Sequence, residues 1–307
     1  MTENALSNPA TSFEPHRRRL LGLAYRMLGS MSDAEDAVQE TYLRWHGADR
    51  DKVSDPRAFL MTTTTRICLD MLTSARARRE KYVGPWLPEP VVDAEALAPD
   101  SHTELAEDLS IALLLTVDRL SPLERAAFLL HDVFDFSFTE VAAALDRTEA
   151  ACRQLAARAR AHVRSARPRG VASPSPRSHQ IDAKHADLLS AFVTAARSGD
   201  VGGLMQLLAS DVRVVTDGGG KAAAALNVLE GADRAARFFA AVTAKGWRDD
   251  FTLRFATING LPGIIVDAPE GTVQTSAFEI DGGVIRALYI VRNPDKLRHL
   301  AAAPPPM

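Results

Sequence analysis

Arginine carries the most conspicuous chemistry in this chain. Between Asp146 and Arg169 stand seven arginines against two acids, a local +5 in a chain of net charge -3. Arg153, Arg160 and Arg164 are spaced by seven and four, which puts them on one side of a helix whose other side carries Cys152, Leu155, Ala159 and Val163. A planar guanidinium fork matches guanine edges and phosphates, which is what a helix in a DNA major groove needs. A solvated surface helix would carry such charges too. The DNA reading is favoured by what comes before: a short capped helix from Ser137 to Leu145 and a polar turn, Asp146-Arg-Thr148, give a helix-turn-helix outline.

Three further clusters could do chemistry. Arg66, Arg76, Arg78, Arg79 and Lys81 outweigh Asp70 and Glu80, with threonines 62 to 65 just upstream and Tyr82 and Trp86 downstream. Hydroxyls, arginines and aromatics suit a splayed single strand, although cations at a helix C-terminus also complement its dipole. Asp33, Glu35, Asp36 and Glu40 form an acidic face on a helix whose other side carries Val38, Tyr42 and Trp45. Acids in a first turn are good capping chemistry, and an acidic face can equally dock on a basic protein surface. Asp217-Gly-Gly-Gly-Lys221 can be a tight turn, a phosphate cradle or a contact surface meeting the acidic stretch at Glu89. Walker spacing and the following Ser or Thr are absent, which disfavours the cradle. Asp217, Asp249, Asp267 and His299 could serve an acid-base site, but no spacing defines a pair.

The elements that hold these residues follow from punctuation. Ser32-Asp-Ala-Glu35, Ser121-Pro-Leu-Glu124 and Ser137-Phe-Thr-Glu140 match capping boxes, and Asp55-Pro56 is another helix start. After about residue 180 the pattern changes. Helices near 181–198, 200–208 and 231–245 are interleaved with or followed by β-branched, alternating runs at 212–217, 251–255, 263–267, 273–278 and 284–290, broken by turns such as Asp281-Gly-Gly283. The first half reads as all-α, the second as α+β with an antiparallel sheet. Trp86 to Asp108 holds seven acids and no Lys or Arg, an extended acidic linker, and 166–178 reads as a basic tether.

With 307 residues, several domains are expected. Two cysteines, Cys68 and Cys152, exclude a disulfide scaffold and a four-cysteine zinc site, and no metal or cofactor is expected. The first 20 residues hold no signal-peptide core and no run of about 18 apolar residues follows, so a soluble, cytoplasmic protein is expected, without a membrane partner.

Together these motifs resemble the bacterial extracytoplasmic-function sigma factors. Asp33-Ala-Glu-Asp-Ala-Val-Gln-Glu-Thr-Tyr-Leu-Arg-Trp45 is similar to their region 2.2, which grips the polymerase clamp. Phe59 to Leu72 with Ser74-Ala-Arg76 resembles regions 2.3 and 2.4, which melt and read the -10 element; Asn is frequent in the family where Arg66 stands. Leu120-Ser-Pro-Leu-Glu-Arg125 and the helix-turn-helix resemble region 4, which reads the -35 element. Residues 180–300 resemble the SnoaL-like branch of the nuclear transport factor 2-like cone, an extension found in one sigma subgroup with three signatures. All three stand here: Trp86-Leu-Pro-Glu-Pro90, Asp217 to Lys221, and Asn293-Pro-Asp-Lys-Leu297.

The resemblance implies a multidomain, non-enzymatic initiation factor. Its expected parts are a helical sigma-2 domain (12–84), an acidic linker (85–108), a sigma-4 helix-turn-helix domain (109–168), a basic tether (169–179) and a SnoaL-like α+β cone with a curved antiparallel sheet (180–300). It implies core polymerase contacts (beta-prime clamp and beta flap) through Asp33, Glu35, Asp36, Gln39, Glu40 and Trp45. Thr62, Thr65, Arg66, Asp70, Arg76, Arg78 and Arg79 are expected at the -10 strand; Thr148, Glu149, Arg153, Gln154, Arg158 and Arg160 at the -35 duplex. Regulation in cis is expected through Trp86, Leu87, Pro88, Glu89 and Pro90, through Asp217, Gly218, Gly219, Gly220 and Lys221, and through Asn293, Pro294, Asp295, Lys296 and Leu297. Three alternatives stay open: a small-molecule effector in the cone, a cyclase or isomerase activity there, and a stand-alone duplex-DNA regulator.

Overall fold

The computed structural model describes residues 8–79, 82–92, 111–166 and 183–300, and the side chains of 74–79 lie outside that description. The stretches 93–108 and 169–179, expected as linker and tether, lie outside the described residues. Among the described residues, 8–79 and 111–166 form one compact unit, and 82–92 with 183–300 form the other. The start of the linker therefore belongs with the C-terminal half. No helix among the described residues is long and apolar enough to cross a membrane.

The first unit is all-α. Helix α1 (Pro9–Leu28) starts on the side-chain cap of Asn8 and ends at Gly29, whose φ of 69° lets the chain turn. Helix α2 (Met31–His46) is capped by Ser30, so it begins earlier than Ser32 would have started it. Helix α3 (Pro56–Arg79) starts at Asp55, whose carboxylate accepts from the Ala58 N–H. These three helices bury Phe13, Leu20, Leu23, Met27, Trp45, Leu60, Met61 and Ile67. After α4 (Ile111–Asp118), α5 (Pro122–Phe128) and α6 (Phe138–Leu145) carry complete capping boxes at Ser121 and Ser137, where the sequence placed them. A π-helical segment, Leu129–Val133, follows α5. Asp146 turns the chain at φ 52° into α7 (Glu149–Ala166), which buries Cys152, Ala156, Ala159 and Val163.

The second unit is the expected α+β cone. Helices α8 (Ala183–Ser198), α9 (Val201–Leu207) and α10 (Ala232–Gly246) pack on a six-stranded sheet of order β2-β1-β6-β5-β4-β3. The strands are β1 (Leu208–Asp217), β2 (Leu229–Glu230), β3 (Thr252–Ile258), β4 (Leu261–Ala268), β5 (Gly271–Asp281) and β6 (Val284–Val291). Every pairing is antiparallel except β1 with β6, which is parallel, so the sheet is mixed rather than wholly antiparallel. The physical reason is connectivity: β1 and β6 are separated by most of the domain, and a parallel pair needs a long crossover. Register shifts in β1, β4 and β5 supply the bends a curved sheet requires. Gly282 and Gly283, with φ of 60° and 80°, make the tight hairpin turn read from Asp281-Gly-Gly. Phe192, Phe239, Phe278, Ile285 and Leu288 fill the core between helices and sheet.

Candidate nucleic-acid interface and linker clamp

Helix α7 presents its expected DNA residues unevenly. Arg153 and Gln154 are exposed near its N-terminus, where a recognition helix meets base edges. Arg153 pairs with Glu149, which also accepts from Thr139, and these two bonds hold the exposed Glu149 carboxyl below its ordinary range. Thr148 caps the helix by accepting from the Ala151 N–H. Arg158 and Arg160 do different work. Arg158 pairs at 2.7 Å with Glu124, the capping acid of α5, and Arg160 pairs at 2.6 Å with Asp132. Helical spacing put Arg160 beside Arg153, but its side chain reaches the π-helical segment after α5, where Asp132 captures it.

Two more expected contact residues are core residues. Trp45 is fully buried, its Nε1 donating to Ser12 Oγ at 3.1 Å and its ring against Phe59 at 5.5 Å, so it supports α2 from within. A tryptophan has too much apolar surface to leave on the charged side of an amphipathic helix. Thr65 is likewise fully buried and returns its hydroxyl to the Met61 carbonyl. Glu35, Asp36 and Gln39 are exposed, with Asp33 and Glu40 half-buried on the same helix. Thr62 is half-buried and Asp70 exposed; the Arg76, Arg78 and Arg79 side chains lie outside the described residues. Arg66 is exposed but engaged: its Nε donates to the Ala144 carbonyl at 3.0 Å and its Nη2 to the Ala143 carbonyl at 2.8 Å.

In the second unit the three signatures converge. Asp217, fully buried at the end of β1, accepts from Tyr82 Oη at 2.5 Å, the Leu87 N–H at 2.8 Å and Lys296 Nζ at 2.7 Å. Lys296 is itself buried; it also donates to the Leu87 carbonyl, and its ammonium lies 4.3 Å from the Trp86 ring centre and 4.9 Å from that of Tyr82. Asn293 donates from Nδ2 to Tyr82 Oη, and its own N–H reaches the Asp217 carbonyl. Burial, followed by the hydrogen bond to Asp217, pushes the Tyr82 phenol well above its ordinary pKa. Gly219 has φ 57°, and a Cβ there would meet Tyr82 Oη at 2.8 Å and the Asn293 amide closer still, so glycine is needed for close approach as well as for the turn.

The cation of this clamp is not the expected one. Lys221 pairs with Asp295 rather than reaching toward Glu89, and this pairing lowers the Asp295 pKa. The reason lies in the tertiary path: the turn Pro294–Lys296 drives Lys296 inward onto Asp217, leaving Asp295 outside to meet Lys221. The linker is held further along by Asn259, fully buried at φ 49°, which exchanges two bonds with the Val91 backbone. His299 shares a hydrogen with the Pro90 carbonyl at 2.7 Å. Tyr82, read from the sequence as an aromatic for stacking on a single strand, is engaged by Asp217 and Asn293, and Asn259 does not stand out in the sequence. Asn259-Gly260 reads as a hairpin turn, which it is, and that role conceals the amide's second use.

The cone also holds a half-open pocket of about 80 Å³ lined by Phe192, Phe239, Trp247 and Phe278 among others, with Gln274 and Ser276 hydrogen-bonded to each other on its wall. None of the four candidate acid-base residues lines it. Asp217 sits in the clamp, Asp249 is exposed, Asp267 pairs with Arg254 and Thr272, and His299 faces Pro90.

Residues 13–78 match Sigma-70 region 2, and residues 110–163 match Sigma-70, region 4. The ECF RNA polymerase sigma factor SigJ of Mycobacterium tuberculosis is 38% identical over 297 residues, spanning 93% of this chain and 92% of that one. The probable ECF RNA polymerase sigma factor SigI of the same species is 29% identical over 95% of this chain and 96% of its own length. The crystal structure of Mycobacterium tuberculosis SigJ superposes with a TM-score of 0.69 at 33% identity, covering 94% of this chain and 98% of that structure. With both sigma regions matched and a relative aligned through the cone as well, the chain belongs to the extracytoplasmic-function sigma factors of RNA polymerase.

Proposed function

We propose that this alternative sigma factor is regulated in cis by its cone, which grips the start of the linker between its two promoter-reading domains. One observation carries the reading: Lys296 and Asp217, buried together, bind the backbone of Leu87 on both its N–H and its carbonyl. A buried ion pair spent on a linker backbone holds that linker in one course, because removing either ion strands the other. In this reading the exposed acids Glu35 and Asp36 with Gln39, flanked by Asp33 and Glu40, dock on the beta-prime clamp of core polymerase. The helix-turn-helix sits toward the beta flap and presents Arg153 and Gln154 to the -35 duplex. Thr62, Arg66 and Asp70 face the -10 strand together with Arg76, Arg78 and Arg79. The polymerase performs the chemistry, and the cytoplasm is where it does so.

In vitro transcription with core enzyme tests this. The full chain is compared with a chain cut near Arg169, a chain cut before Asn293, and Lys296→Met. Both the cut before Asn293 and Lys296→Met are expected to change promoter output in the same direction. Equal output from all four would refute control by the clamp, and no initiation by any of them would refute the sigma assignment itself.

A second reading rests on the cavity. Its aromatic wall, with Thr243, Gln274 and Ser276 as its polar side chains, suits a small, uncharged, mostly apolar effector. Acid-base catalysis finds no titratable group among the residues lining it, so an effector is favoured over a cyclase or isomerase activity. A stand-alone duplex-DNA regulator would have no use for the acidic face of α2.

A further inference from the structure

The pocket of the cone joins a cluster of aromatic rings to three neutral polar side chains. Phe192 meets Phe239 and Phe278 edge to face, with ring centres 5.0 and 5.4 Å apart, and all three line it. Strand β5 runs past them from half-buried Gln274 to buried Ser276 and Phe278. Gln274 Nε2 donates to Ser276 Oγ at 3.0 Å. Whichever way that amide is turned, one polar end is spent on Ser276 and the other has no bond among the described residues. The Thr243 hydroxyl on α10 has none there either. No lining residue is charged.

These walls select by chemistry and by size. An ion would lose its hydration without gaining a counter-charge. A neutral group that both donates and accepts meets the spare amide end in either orientation, and a phenol hydroxyl does both. Like that of tyrosine, it stays uncharged until about pH 10. Edge-to-face walls favour a flat ring over an alkyl chain. The half-open pocket of about 80 Å³ is smaller than the roughly 150 Å³ that encloses benzene outright. One ring therefore enters with an edge toward the opening, and a fused polycyclic skeleton does not fit.

The same wall leads to the linker clamp. Ser276 of β5 pairs with Ile290 of β6, which also lines the pocket and pairs in turn with Thr216 of β1. In the next row Thr275, Val291 and Asp217 stand in register. Just beyond, the N–H groups of Arg292 and Asn293 both donate to the Asp217 carbonyl. The polar wall of the pocket and the anchor of the clamp are thus one row apart across three hydrogen-bonded strands.

We infer that the pocket is a binding site for a single uncharged ring carrying a hydroxyl, a phenol-class ligand, whose occupancy tightens the grip on the linker. The ligand class deepens the effector reading above, and its effect rests on the clamp reading. A bound ring braces Leu288 and Ile290 of β6, so any opening of the clamp that moves β6 must give up that contact.

Isothermal titration calorimetry of the full chain with phenol, benzene and benzoate tests the ligand class. Phenol is expected to bind one-to-one and about tenfold tighter than benzene, the effect of one neutral hydrogen bond, while benzoate does not saturate. Gln274→Leu is expected to abolish phenol's advantage while benzene still binds. Should that variant fail to fold, Ser276→Ala removes the group that orients the amide and is expected to reduce the same ratio. Hydrogen exchange at the Leu87 amide, which donates to Asp217, reads the effect on the clamp. Phenol at ten times its dissociation constant is expected to slow it, by up to about tenfold. Failure of phenol to saturate the folded chain, or benzene or benzoate binding as tightly, overturns the ligand class. Saturable phenol binding with Leu87 exchange unaltered overturns the coupling and leaves the clamp itself, which Lys296→Met tests, standing.

Discussion

Replacing Lys296 by Met is the sharpest probe of the clamp. Met keeps the length and most of the volume of the side chain and removes the charge. It leaves the Asp217 carboxylate, fully buried, with Tyr82 Oη and the Leu87 N–H but no cation. It also strips the Leu87 carbonyl of its donor and the Trp86 and Tyr82 rings of their ammonium. Breaking one side of a buried pair costs about 3–5 kcal/mol, and the lower end applies here because two donors remain on Asp217. The linker at Leu87 should then open locally far more often. At about 1.4 kcal/mol per decade, 3 kcal/mol corresponds to roughly a hundredfold faster amide exchange at Leu87. The Val91 amide is a built-in control, since it is held separately by Asn259 Oδ1 at 3.1 Å. Native-state hydrogen exchange with single-residue resolution reads both. Leu87 exchanging at its wild-type rate in Lys296→Met would refute the reasoning; equal acceleration at Leu87 and Val91 would mean that the whole cone, not the clamp, had been loosened. Adding Asp217→Asn to Lys296→Met should recover about 1–3 kcal/mol, because the stranded charge is then gone as well.

Four other outcomes follow from the same contacts. Trp45→Ala should destabilise the first unit by about 3–5 kcal/mol, seen in urea titration, because the site is core. Arg153→Ala should weaken -35 duplex binding by about 1–3 kcal/mol in anisotropy titrations, whereas Arg160→Ala should cost stability through Asp132 and leave DNA affinity nearly unchanged. The Tyr82 phenol has a folded pKa raised above its unfolded value of about 10, so its contribution is complete below pH 10 and declines as pH rises beyond that; the cone's melting temperature should fall over that alkaline range, and Tyr82→Phe should flatten the fall. Gly219→Ala should loosen the clamp by pressing a methyl onto Asn293 and Tyr82 at a positive φ, which accelerated exchange at Leu87 would report.

Much of the architecture is written in local signals. The boxes at Ser121 and Ser137 and the start at Asp55-Pro56 are read from three or four neighbouring residues, and the helices begin there because orphan N–H groups need those acceptors. Ser32-Asp-Ala-Glu35 has the same pattern, yet Ser30 caps α2, since two serines competed and only the chain's exit from Gly29 chose between them. The hairpin turn at Asp281-Gly-Gly283 and the presence of the three signatures were equally legible, but their convergence on Asp217 through Lys296 was not. The side of a helix on which a residue falls was less legible. Periodicity placed Arg160 beside Arg153, and Asp132 drew it elsewhere; Trp45 stays on the apolar side that periodicity gave it, held by Ser12 and Phe59, and it was the resemblance that implied a polymerase contact there.

By itself, then, the sequence determined the kind of protein this is: the order of sigma regions, the capped helices of the helix-turn-helix, the alternating strands of the cone and the presence of the three signatures. Those depend on contacts within a few residues or on motifs carried whole. Tertiary structure decided which of two adjacent residues, Asp295 or Lys296, turns inward, that Asn259 holds Val91, and that Arg66 meets the end of α6. Each of these joins atoms from 70 to more than 200 residues apart or across two helical halves. A buried charge takes whichever partner the packed chain brings within 3 Å, and no local pattern encodes that choice.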